Sequence, residues 1–159
     1  MTPRAALAID LDGVLGDTRQ LWDDWLAKAG RVLEIDAATL PYDRGEAAVL
    51  LDSRGGGNWR TLLERFTEDR APVYLRRDAD TSATLRRLAE SGTLVGVYSD
   101  APSELVGTAL SQLGATRRVD AIEAGSGALD RLLATLGHGT VIVRTREELR
   151  RVASQTPAR

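Results

Sequence analysis

Ala5-Ala6-Leu7-Ala8-Ile9-Asp10-Leu11-Asp12-Gly13-Val14-Leu15 decides how the rest of the chain is read. Five apolar residues in a row fit a strand buried on both faces. If the strand direction persists past Ile9, Asp10 and Asp12 project to the same side, because side chains alternate with a period of two. Gly13 then lets the chain turn sharply away. Two carboxyls therefore stand at the carboxyl end of a strand, the edge at which open α/β sheets bind their ligands. A second apolar run, Leu94-Val95-Gly96-Val97-Tyr98, ends in Ser99-Asp100 and brings a hydroxyl to the same kind of edge.

Outward from these two strands the chain alternates. Leu21, Trp22, Trp25, Leu26 and Ala29 recur at helical spacing and Gly30 closes the run. Glu46 to Leu51 reads as a short helix, Arg54-Gly55-Gly56-Gly57 as a loop, and Asn58 as the cap of a helix through about Phe66. Thr84, Leu85, Leu88 and Ala89 make a helical stripe that stops at Gly92. Pro102 suits the first turn of a helix ending before Gly114. A short strand over 119–122, a helix over 128–136, the strand Val141-Ile142-Val143 and a helix over 147–153 complete the pattern. Strands alternating with helices predict an α/β fold, a Rossmann-like parallel sheet flanked by helices. Residues 16–77 hold no convincing strand and read as a helical cap inserted after the first strand. The core is then 1–15 with 78–153, and 154–159 is a tail.

Composition narrows the classes. The chain has 159 residues and a formal net charge of −2, with 43% hydrophobic residues and no cysteine. That suits one domain with a real core, gives no bias toward nucleic acid or an anionic membrane, and excludes thiolate chemistry. Asp10 and Asp12 interrupt the N-terminal apolar run too early for a secretion signal, and no stretch is long enough to span a bilayer, so a cytoplasmic location is expected. Of 21 basic residues only Lys28 is lysine.

Asp10-Leu11-Asp12-Gly13-Val14-Leu15-Gly16-Asp17-Thr18 resembles the opening signature of haloacid-dehalogenase phosphatases and phosphomutases that carry an α-helical cap. The resemblance implies that Asp10 is a nucleophile forming an aspartyl-phosphate, and that Asp12 is the acid that protonates the leaving oxygen and the base that then activates water. It implies that Ser99 and the backbone amides around Gly13 bind phosphate, that the substrate is a small phosphorylated metabolite, and that Mg²⁺ is the cofactor. Asp12 speaks against dehalogenation, since a halide leaves without a proton. The chemistry has its own logic: the two steps need one ionised and one proton-carrying carboxyl, close together but in different surroundings.

The later signatures depart from that pattern. No lysine stands in Asp120-Ala121-Ile122-Glu123-Ala124-Gly125-Ser126-Gly127, where the family places one. After the last strand, Arg144 takes the place of the metal-binding aspartate. Glu148 falls where a second acid would lie, yet Thr145-Arg146-Glu147-Glu148 is also a capping box. Asp10, Asp12 and Asp100 are the remaining candidates for Mg²⁺, with Asp100 equally readable as an N-cap. Two functional readings stay open. In one, Arg144 binds phosphate oxygens bidentately and turnover is slow and metal-independent. In the other, catalysis is lost and the fold serves as a binding or regulatory protein. Arg54 and Arg60 are candidates to meet an anionic substrate or plain solvated side chains, the tryptophans read as cap core, and His138 as an exposed turn.

Overall fold

A computed structural model describes residues 3–54 and 57–157 of the chain; Gly55 and Gly56 of the glycine-rich loop lie outside the described residues. Four strands, β1 (Ala6–Asp10), β2 (Leu94–Ser99), β3 (Ala121–Ala124) and β4 (Val141–Val143), pair in parallel in the order β3-β2-β1-β4. The sheet is thus α/β, as the alternation of periods requires. β1 is central, and its register pairs Asp10 with Tyr98, which places Ser99 one residue beyond Asp10 at the same edge.

Leu7, Ile9, Val95, Val97 and Val143 point to one face of the sheet, where Leu85 and Leu88 of α4 (Ala79–Glu90), Leu105 and Ala109 of α5 (Ser103–Gln112) and Leu149 of α7 (Arg146–Ser154) join them in one buried cluster. The opposite face carries Ala8 and Tyr98 under Ala128 and Leu132 of α6 (Ala128–Leu136). Gly96 makes that packing close: a Cβ there would lie 2.7 Å from Leu132 Cδ1.

Between β1 and α4 the chain is helical. Three helices follow, α1 (Arg19–Leu33), α2 (Arg44–Ser53) and α3 (Trp59–Tyr74); Trp22 and Trp25 of α1 and Trp59 of α3 pack their rings in series with centroids 5.2 and 5.9 Å apart. These rings belong to the same buried cluster as β1 and β2. Among the described residues no helix is long and apolar enough to cross a membrane.

Several boundaries differ from the sequence reading. α1 does not stop at Gly30 but runs to Leu33, with Glu34 in left-handed geometry as its C-cap. Gly30 is needed for close approach instead, since a Cβ there would lie 2.8 Å from the Ile35 carbonyl oxygen. α3 continues eight residues past Phe66, burying Thr67 and Ala71, with Pro72 tolerated near its end. β3 begins two residues later than expected, because Asp120 leaves the strand and accepts the Val95 amide with its carboxylate at 2.8 Å.

Candidate active site

The carboxyl ends of β1 and β2 open into a cavity of about 910 Å³ lined by Asp10, Asp12, Gly13, Arg44 and Asp100 among others. The turn Leu11–Leu15 shapes its floor. Asp10 Oδ1 accepts the Asp12 amide at 3.1 Å, and Gly13, at φ +107°, donates its amide to the Gly16 carbonyl at 3.0 Å. Gly13 also sits against another chain segment, where a Cβ would come within 2.8 Å of the Arg144 carbonyl oxygen.

Asp12 and Ser99, 87 residues apart, meet: Ser99 Oγ donates to Asp12 Oδ2 at 3.3 Å and accepts the Ala101 amide at 3.2 Å. On the other oxygen, Asp12 Oδ1 accepts both the amide and the hydroxyl of Thr18, each at 2.7 Å. Thr18 is fully buried at the mouth of α1 and closes the nine-residue signature that begins at Asp10.

At the centre stands a residue that the sequence reading did not single out. Arg44, the first residue of α2, is 2% exposed, and its guanidinium donates to Asp12 Oδ2 at 2.5 Å, Asp100 Oδ1 at 2.7 Å, Thr18 Oγ1 at 2.7 Å and Ser99 Oγ at 3.3 Å. Its Nε adds a 3.0 Å bond to Asp100 Oδ1, and its backbone amide donates to Asp100 Oδ2 at 3.0 Å. Asp100 therefore binds the arginine at the start of α2 and is not the N-cap of α5, a position that Pro102 fills. Arg19 leans in from α1 at 3.5 Å from Asp100 and covers the ring of Tyr42 at 4.0 Å. No local pattern marks Arg44, because it is one arginine among many; only the fold brings it to these acids.

Charge crowding shows in the titration. Burial, with Asp12 and Asp100 nearby, pushes Asp10 from 3.8 up to about 6, although the Asp12 amide and Arg144 oppose the rise. Burial also pushes Asp100 upward, but the hydrogen bonds from Arg44 outweigh it and hold the carboxyl below its usual range. Arg44 is pulled down by burial and pushed above its ordinary value by Asp12 and Asp100, so it stays charged.

Arg144 is exposed on the stretch between β4 and α7, its charge felt at Asp10. Glu148 serves the helix end: its amide bonds the Thr145 hydroxyl at 3.1 Å while its carboxylate accepts the Arg144 amide at 2.8 Å. Asp10, Asp12 and Asp100 do not make a three-carboxylate cage. Among the described residues no three His, Asp or Glu side chains converge as metal ligands, and Arg44 occupies Asp12 Oδ2 and both oxygens of Asp100. Mg²⁺ keeps several waters and takes one or two carboxylates, so Asp10, which Arg44 does not engage, is the residue that would hold it. Arg60 and Arg54 lie elsewhere: Arg60 ties Asp52 to Glu104 at 2.8 and 3.1 Å, and Arg54 reaches Thr39. His138 is exposed.

No family model matches the chain, and no curated protein matches it. Solved structures do. A protein assigned as a β-phosphoglucomutase from Thermotoga maritima superposes with TM-score 0.56 at 14% identity, covering 94% of this chain and 82% of that one. A haloacid dehalogenase-like hydrolase from Streptococcus pneumoniae gives 0.57 at 16%, covering 98% and 82%. A phosphatase of that family from Thermococcus onnurineus gives 0.50 at 17%, covering 94% and 97%. The fold of this chain is therefore that of haloacid dehalogenase-like proteins, a Rossmann-type α/β sheet flanked by helices.

Proposed function

We propose that the protein hydrolyses a small phosphate monoester through an aspartyl-phosphate on Asp10, with residues 16–77 acting as a cap over the core of 1–15 and 78–153. The observation that carries this reading is that Asp10 and Asp12 line one cavity, with the buried Ser99 hydroxyl hydrogen-bonded to Asp12. Asp10 attacks phosphorus as the bond to the leaving oxygen breaks, and Asp12 supplies that oxygen with a proton. Water then attacks the phosphoryl group, its proton passes to Asp12, and the bond from phosphorus to Asp10 breaks. Ser99 donates to a phosphoryl oxygen, Arg144 adds charge beside Asp10, and the Gly13 amide serves only if it leaves the Gly16 carbonyl. Positioned charge supplies most of the rate in such chemistry. With no lysine in 120–127 and Arg144 where the family places its metal-binding acid, the reading is of slow turnover that persists without Mg²⁺.

The second reading, a non-catalytic binding protein, draws on a specific feature: Arg44 already holds Asp12, the acid and base that catalysis would use. Hydrolysis of p-nitrophenyl phosphate by the wild-type chain and by Asp10→Asn, with Mg²⁺ and with chelator, separates the two. Release of nitrophenolate that disappears in Asp10→Asn supports the enzyme. Equal rates for the two proteins would sink it.

A further inference from the structure

We propose that Arg44 is the anion-binding cation of this site, and that an incoming phosphoryl group draws its guanidinium off Asp12 and so frees Asp12 to carry protons. The inference rests on the phosphatase reading and adds the group that meets the phosphoryl charge.

Arg44 is the one charged side chain among the fully buried residues of the described structure. A guanidinium is suited to this place, because its planar fork binds carboxylate and phosphate oxygens alike through paired hydrogen bonds. In the resting site that fork is spent on Asp12 Oδ2 and Asp100 Oδ1, with Ser99 Oγ at 3.3 Å from the same nitrogen. Nη2 is therefore overcommitted: two hydrogens face three acceptors. Asp100 retains its bond from the Arg44 backbone amide when the guanidinium shifts. The expendable partner is Asp12, which keeps the two bonds from Thr18 on its other oxygen.

Asp12 now accepts at both oxygens, from Arg44 and Ser99 on one and twice from Thr18 on the other. A carboxyl that delivers a proton needs one oxygen clear of such donors. A phosphoryl oxygen seated on Ser99 and Nη2 would take both donors away from Oδ2, and the exchange leaves that oxygen open toward the leaving group. Anion binding and readiness of Asp12 are then one event.

The main chain does not have to move for this. Gly45, next to Arg44, lies so close to the loop before α6 that a Cβ would come within 2.0 Å of the Ser126 amide nitrogen. The start of α2 is pinned there, and the exchange belongs to the guanidinium alone.

The test is calorimetric titration of inorganic phosphate, in chelator, into Asp10→Asn and into Asp10→Asn/Arg44→Gln. Phosphate should bind the first protein, and the second should bind at least about tenfold more weakly, with Asp10→Asn/Arg44→Lys between them. Affinities within twofold in variants of unchanged circular dichroism would overturn the inference, as would absence of phosphate binding to Asp10→Asn. If the Arg44 variants do not fold, the Arg44 Nε–H resonance of Asp10→Asn decides: it must shift on adding phosphate, and an unmoved signal refutes the exchange. A wild-type chain that fails to hydrolyse aryl phosphate yet passes these tests loses the phosphatase reading and keeps Arg44 as an anion site.

Discussion

Asp10 carries two consequences that pull against each other. A nucleophile must be ionised, yet burial and the neighbouring acids raise its pKa from 3.8 to about 6. Between those values the native chain holds a proton that the unfolded chain has released, so stability falls as pH climbs through that window. Above it, the ionised carboxylate costs the fold about 1–2 kcal/mol once solvent screening of this partly exposed group is allowed for. Asp10→Asn should therefore raise the urea midpoint at pH 7.5, and the gain should vanish near pH 4; a gain that does not change with pH contradicts the assignment. Tyr98, opposite Asp10 in the sheet register, offers a cleaner case. It is 8% exposed, and its hydroxyl makes no well-formed hydrogen bond among the described residues, although the Arg144 guanidinium acts on it. A buried donor left unpaired is costly, so Tyr98→Phe should stabilise the protein by about 1 kcal/mol, readable as a higher urea midpoint with unchanged slope.

Elements differ in how openly the sequence declares them. The apolar runs of β1 and β2, the helix over 128–136 and the Thr145 cap are written in local chemistry, because burial and capping act over a few neighbours. The meeting of Asp10, Asp12 and Ser99 was also legible, since parallel strands that end in polar residues must present them at one edge. Arg44 was not, for its role comes from α2 crossing the strand ends, and no spacing along the chain encodes that. Asp100 misled for the same reason: before a helix, an aspartate is a cap unless tertiary structure supplies a better donor. The close seat of α2 gives a prediction at this scale. Gly45→Ala must displace the Gly125–Ser126 backbone or the helix itself, because the added Cβ has no flexible neighbour to push aside. Overpacking of this kind costs about 1–3 kcal/mol, so thermal unfolding should move down by several degrees. The displaced start of α2 should carry the Arg44 guanidinium away from the phosphate position, visible as weaker phosphate binding than in the parent.

On the scale of the whole molecule, the inserted helices and the sheet are not independent. One buried cluster runs from Trp22, Trp25 and Trp59 through Leu11, Val14 and Leu15 to the face of β1 and β2. Arg60 of α3 bridges Asp52 of α2 and Glu104 of α5, although exposed pairs of this kind contribute less than about 1 kcal/mol. The shared apolar cluster is the stronger tie. The chain should unfold in a single cooperative step, with backbone amides of α1 and α3 exchanging at the same free energy as those of β1 and β2. Two separated exchange classes would mean that the insertion opens as a unit of its own.

All three indoles sit in α1 and α3 and none in the sheet. Trp59 is tethered through its ring nitrogen to Asp52 at the end of α2, the same helix whose first residue is Arg44. Tryptophan emission therefore reports on those helices alone. A ligand that shifts α2 relative to its neighbours would alter the emission of Trp59 without any attached dye, so the chain holds a built-in optical gauge of what happens beside its acids.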